Sequence, residues 1–118
     1  MLRIRLALVT LLGAALVIVA SASAATPTLN ATDGPGFTIT LKKGGVKVKS
    51  LKAGKYKIVV KDLSNIHNFH LTGPGGVNKK TSVGAKGTFT WTVTLKKGTY
   101  KYICDPHAAV MKGSFKVT

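Results

Sequence analysis

The chain has 118 residues, enough for one domain, and sets 18 Lys and Arg against only 3 Asp and Glu, a formal net charge of +15. Such a balance favours anionic partners, but beyond Arg3 and Arg5 every cation is a lysine, so the forked base and phosphate contacts of a nucleic-acid binder are not expected. A single cysteine rules out any internal disulfide.

The first segment reads as an export signal. Arg3 and Arg5 give a positive start, Leu6 to Ala20 is an apolar run, and Ala22-Ser23-Ala24 matches a small-residue cleavage site. The run falls short of the ~20 residues a spanning helix needs. Residues 1–24 are therefore expected to be a secretory signal peptide, with an uncleaved anchor as the alternative. No cysteine follows closely enough for lipid attachment, and the arginines are not adjacent, which favours the general secretory route. The expected location is periplasmic or extracellular, with membrane association only if the segment is retained.

Residues 25–36 are rich in Thr, Pro and Gly and read as a short lead-in to a domain over 37–118. Phe37 to Leu41 alternates with period two, a strand signature. Lys42-Lys43-Gly44-Gly45 turns the chain into a second strand over Val46 to Leu51, and Ala53-Gly54 leads into a third over Tyr56 to Asp62. Ile66 to Thr72 reads as a fourth, ended by Gly73-Pro74-Gly75-Gly76. A short edge strand near Thr81-Ser82-Val83 precedes a clear one over Thr88 to Leu95, where Phe89, Trp91, Val93 and Leu95 alternate with threonines. Thr99 to Cys104 and Gly113 to Thr118 complete the set. No helical periodicity persists after the leader, and seven or eight short strands imply an all-β sandwich. Leu51 to Lys57 echoes Leu95 to Lys101, a register that matches Val60 with Cys104.

The chemistry concentrates near the C-terminus. Cys104, His107 and Met111 place a thiol, an imidazole and a thioether within eight positions. Such soft donors suit copper, and a site of two His and one Cys commonly has a distant Met as weak axial ligand. Singly, each has a plainer reading: a buried small hydrophobe, a surface histidine, a core filler. The second imidazole must come from Asn65 to His70. On a strand, His67, Phe69 and Leu71 share one face and Asn68 and His70 the other. Since Phe69 and Leu71 belong in the core, His67 is the better ligand, and His70 is expected to face solvent or the opposite loop.

These segments together resemble the cupredoxins, small blue copper proteins of the plastocyanin, amicyanin and pseudoazurin kind. His67-Asn68 resembles the family's His-Asn pair, Cys104-Asp105-Pro106-His107 its Cys-x-Pro-His turn, and Met111 followed by Gly113 its Met-x-Gly. The resemblance implies a Greek-key β-sandwich holding one copper ion on His67, Cys104 and His107, with Met111 axial. It also implies that Asn68 bonds across to the Cys104 loop, with Asp105 beside it. Three residues separate His107 from Met111, where plastocyanins usually have four and amicyanins two. Asp105 takes the place of the usual Ser or Thr, and with no donor at Pro106 the thiolate should stay electron-rich and the reduction potential moderate.

The function so implied is one-electron transfer between redox partners by a monomer that is not an enzyme. This ligand set leaves no obvious open position, the His-x-His pairs of multicopper oxidases are absent, and one cysteine excludes a binuclear site. Ala108, Ala109 and Val110 would form a small apolar docking patch, with lysines beyond it to steer an acidic redox protein. The competing readings are copper sequestration or delivery on the same fold, and a metal-free, lysine-rich domain that binds polyanions.

Overall fold

A computed structural model describes residues 12–21 and 23–118. Arg3, Arg5, the first part of the apolar run and Ala22 lie outside the described residues. Residues 12–20 are exposed and belong to no helix or strand, and no helix among the described residues is long and apolar enough to cross a membrane.

Among the described residues ten strands form two five-stranded sheets packed face to face. They are β1 (Thr28–Asp33), β2 (Ile39–Lys43), β3 (Val46–Lys47), β4 (Ser50–Leu51), β5 (Gly54–Asp62), β6 (His70–Gly73), β7 (Val77–Lys80), β8 (Gly87–Leu95), β9 (Gly98–Ile103) and β10 (Lys112–Val117). One sheet runs β3-β2-β1-β5-β8 and the other β4-β10-β9-β6-β7. β1 lies parallel to β5 and β4 parallel to β10, and the remaining pairs are antiparallel. Among the described residues the only helical element is a single 3-10 turn, Asp105–His107. The all-β sandwich expected from sequence is the fold.

Four strand assignments need correction. The stretch 25–36, read as a lead-in, contains β1, which lies between β2 and β5 and contributes buried Leu29 and Ala31 to the core. Its other residues are Thr28, Asn30, Thr32 and Asp33, short polar side chains that obscure the alternation. The segment Val46 to Leu51 is not one strand: β3 joins the first sheet and β4 the second, with Val48 buried at the crossing. The strand through Ile66 begins only at His70, so His67, Asn68 and Phe69 lie in irregular chain. All three are buried, Asn68 included, which strict alternation would have turned outward. The edge strand β7 also ends just before Thr81, where it was expected to begin.

The core is aromatic at its centre. Phe69 stacks on Tyr102 with ring centroids 5.3 Å apart, and Tyr100 stacks on Phe115 at the same distance. Burying each such side chain contributes about 1.5–3 kcal/mol. The internal echo is a shared turn. Gly54 and Gly98 occupy φ of 150° and 139°, which side chains rarely adopt. Two residues on, Tyr56 and Tyr100 bury their rings while each hydroxyl bonds four residues back. Tyr56 donates to the Lys52 carbonyl at 2.7 Å, and the Lys96 N–H donates to Tyr100 at 2.9 Å. Val60 and Cys104, matched by this register, are both fully buried.

Tyr102 leads directly into Cys104 and lies against Gly113, its partner across β9 and β10. A Cβ at Gly113 would run into the Tyr102 ring, whereas one at Gly84 would meet nothing within 4 Å. Gly113→Ala should therefore cost roughly 1–3 kcal/mol through overpacking, while Gly84→Ala stays within about 0.5 kcal/mol. Denaturant unfolding of the two variants checks the contrast.

Candidate metal centre

The C-terminal loop folds on its own backbone. Pro106 sits in the first turn of the 3-10 segment, where its missing N–H leaves nothing unpaired. The His107 N–H donates to the Cys104 carbonyl at 3.0 Å, and the Met111 N–H donates to the His107 carbonyl at 2.8 Å. The Cys104 N–H closes the loop on the Met111 carbonyl at 3.0 Å. Cys104 and Met111 are both fully buried, and His107 is half-buried at the rim.

Against this loop packs the segment before β6. His67 is 0% exposed, and its Nδ1 lies 3.7 Å from Cys104 Sγ and 3.0 Å from His107 Nδ1. His107 Nδ1 lies 3.6 Å from the same sulfur. A point in the plane of these three atoms is about 2 Å from each, close to the 2.0–2.3 Å that imidazole nitrogen and thiolate sulfur keep from a small metal ion. Among the described residues this is the one grouping of three metal-ligating side chains of this kind. Two imidazoles and a sulfur, with no carboxylate, fit copper, which accepts both donor types.

Asn68 joins the two segments. Its side-chain N–H2 donates to Asp105 Oδ2 at 2.7 Å and to the Thr81 carbonyl at 3.2 Å, while its Oδ1 accepts from the Asp105 N–H at 2.7 Å. Its own backbone N–H points at Cys104 Sγ, 3.4 Å away. Thr81 continues the network by accepting the Phe69 N–H on its hydroxyl at 3.0 Å. The loop of Cys104 and the loop of His67 are thus pinned at side-chain, backbone and sulfur level at once.

Two residues in this neighbourhood carry roles that sequence reasoning missed. Phe37, expected in a strand, precedes β2 and stands edge-on to both imidazoles, with centroids 5.1 Å from His67 and 4.9 Å from His107. Nothing in its sequence context marks it. His70 is not among the grouped donors, and its ring bridges Asp105 Oδ1 at 2.7 Å and Asn78 Oδ1 at 2.6 Å. Burial alone would raise the Asp105 carboxyl. The hydrogen bonds from His70 and Asn68, with the charges of His70 and Lys80, outweigh it and hold the group below the ordinary aspartate range.

Removing the Asn68 side chain strands the Asp105 N–H and the Thr81 carbonyl. Asn68→Ala should lose roughly 1–3 kcal/mol in urea unfolding. Asp105 gives a separate signature. Because its folded pKa is depressed, the stability it contributes is present above the unfolded value of 3.8 and is lost as acid titrates it below that. Asp105→Asn should lack this acid-side loss, seen by comparing unfolding midpoints of the two proteins between about pH 5 and pH 2.5.

Several solved structures of rusticyanin are similar to this one. One described as a copper protein aligns with a TM-score of 0.60 and 23% identity over 81% of this chain and 80% of that one. Reduced rusticyanin gives 0.57 and 22% over 82% of each chain. Rusticyanin from Thiobacillus ferrooxidans gives 0.55 and 22% over 81% and 79%. At these identities the likeness concerns the fold. No curated protein matches the sequence significantly. Residues 8–117, however, match the family described as the cupredoxin-like domain, nearly the whole chain, and the protein belongs to that family.

Proposed function

We propose that this chain is a type 1 copper protein that carries single electrons between redox partners outside the cytoplasm. The observation that carries the reading is the triangle of His67 Nδ1, Cys104 Sγ and His107 Nδ1, closed from segments 37 residues apart in sequence. Met111, buried where the loop returns to Cys104, is the candidate axial ligand. Bound there, copper would supply a reversible one-electron couple, for which thiolate and thioether favour Cu(I) while imidazole also serves Cu(II).

The protein's own part is to hold these donors still. Cys104 and His67 are sealed from water, and the sulfur receives the Asn68 N–H. Pro106 brings no N–H to the loop, and Asp105 keeps a negative charge beside it, which supports a moderate reduction potential. Asn68 and Asp105 act by positioning. A buried, fully braced donor set has no free position for a substrate, which favours a carrier over an enzyme.

His107 is the ligand candidate nearest solvent. Around this end of the molecule the exposed side chains Phe37, Ile66 and Val110 are apolar, together with Ala109. Such a patch suits brief docking that brings a partner's redox group close to the imidazole edge. All sixteen lysines are exposed, so an acidic redox partner would be steered to the protein, with a rate that falls as salt is added. The export reading rests on residues 1–24 of the sequence, and the carrier reading needs only a monomer.

The visible absorption spectrum of the copper-loaded, oxidised protein tests the assignment. A strong thiolate-to-copper band that vanishes in Cys104→Ser is expected, together with reversible voltammetry. A colourless protein that still takes up copper, or one that hands copper to an acceptor but cycles sluggishly, would replace the carrier with a copper-delivery protein.

A further inference from the structure

Two of the three acidic residues take no part in the metal centre. Asp33 ends β1 and Asp62 ends β5, and they are partners at the last register position of this parallel pair. Both are sealed inside, at 0% and 1% exposure. The Ser64 N–H donates to Asp62 Oδ1 at 3.2 Å, but the other Asp62 oxygen and both oxygens of Asp33 receive no N–H or O–H from the described residues. None of the sixteen lysines answers them, for all point to solvent, including Lys61 and Lys86 nearby in sequence. At the same level the flanking strands offer only Ile39 on β2 and Gly87 on β8. The charge that acts on Asp33 is that of Asp62.

Two buried carboxylates side by side, with no cation among the described residues to answer them, cannot both stay ionised cheaply. One proton solves the problem. It removes one charge and turns a pair of acceptors into a donor and an acceptor, joined by a short, charge-assisted O–H···O bond. The two residues are direct register partners on neighbouring strands and both are buried, which sets the carboxyl groups side by side. Burial first, then the hydrogen bond and charge of Asp62, push the Asp33 carboxyl up to about 7.

The position of the pair gives the proton a task. Directly after Asp33 comes Gly34, buried against the chain between β5 and β6: a Cβ there would stand 2.9 Å from Ser64 Cβ and 3.3 Å from His67 Cδ2. The Leu63 N–H donates to the Asp33 carbonyl at 3.0 Å. The chain leaving β5 toward His67 is thus fastened to the end of β1. We propose that Asp33 and Asp62 share a single proton and that this proton is a latch, closing β1 onto β5 at the root of the loop that carries His67. In alkali the pair holds two like charges and the root of that loop loosens.

The sign follows from the raised carboxyl. In the unfolded chain Asp33 titrates at 3.8, so between that value and about 7 the folded protein holds the extra proton. The stabilisation is complete below 3.8 and is lost as pH rises through about 7. Asparagine at position 33 imitates the protonated acid permanently, since its N–H2 can donate to Asp62.

The test is thermal unfolding of the full chain without added metal, so that it stands apart from the copper assignment. The native protein should melt progressively lower from about pH 5 to pH 8, while Asp33→Asn should lack that part of the fall and melt higher than native at pH 8. Equal pH slopes in the two proteins would overturn the latch. Carboxyl-carbon NMR of the native protein gives the same answer without a variant: one of the two resonances should titrate near neutrality, and two ordinary aspartate titrations would refute it. The link to the His67 loop rests on the copper reading and is read on the loaded protein. A Cu(I) chelator should strip native protein several-fold faster at about pH 8.5 than at pH 6, and Asp33→Asn with little change. A pH ratio that is the same in both would detach the latch from the ligand loop.

Discussion

The Asn68 amide is the contact on which the metal centre depends. Neither donor segment belongs to a regular strand where the donors lie: His67 precedes β6, and His107 lies in a single 3-10 turn. Sheet hydrogen bonding alone therefore cannot fix the distance between them. Asn68 fixes it by donating to and accepting from Asp105, while its backbone faces the Cys104 sulfur. Each group on one segment answers a complementary group on the other, so a shift of either by an ångström breaks several bonds together. That mutual dependence makes the triangle rigid in a part of the fold that lacks ladder support.

The same end of the sandwich contains all the acidic residues of the molecule. Asp105 is spoken for by Asn68 and His70, and Asp33 and Asp62 face each other inside. With only three side-chain carboxylates, two of them buried, the sixteen lysines, all on the outside, stay largely unneutralised. Among the described residues no lysine makes an ion pair with a carboxylate, and His70–Asp105 is the one such contact, so stability rests on the stacked aromatic core and the backbone ladders. The lysines have a second consequence. β2, β3 and β7 set exposed lysines at or beside the sheet edges, which discourages pairing with another copy.

What the sequence discloses and what it hides follow from how local each signal is. Cys104, Pro106 and His107 lie within one turn, and spacing alone restricts how they can be arranged. His67 was separable from His70 because Phe69 and Leu71 announce the inward face, and both are indeed fully buried. The irregular chain at Asn68 was not legible, since the hydrogen bonds that make it bury a polar side chain come from Thr81 and Asp105, far off in sequence. β1 was hidden for a related reason. Thr, Asn and Asp in a strand look like a loop until the neighbouring strands supply their partners. Phe37 and the Asp33–Asp62 pair are wholly tertiary: nothing nearby in sequence says that a phenylalanine meets two imidazoles or that two acids meet each other.

These features divide the molecule into a firm side and an open side around one point. Behind the triangle stand Cys104 and His67, without water, braced by Asn68 and by the close passage of Gly34. In front stands His107, half-buried, with Phe37 edge-on and 60% exposed beside it. A site that exchanged ligands would need the reverse, a loose interior and a donor free to leave. Here the most exposed donor is held by its backbone at both ends, accepting from Met111 and donating to Cys104. What the arrangement leaves accessible is the edge of one imidazole ring, and it is on that opening that the proposed electron-carrier role relies.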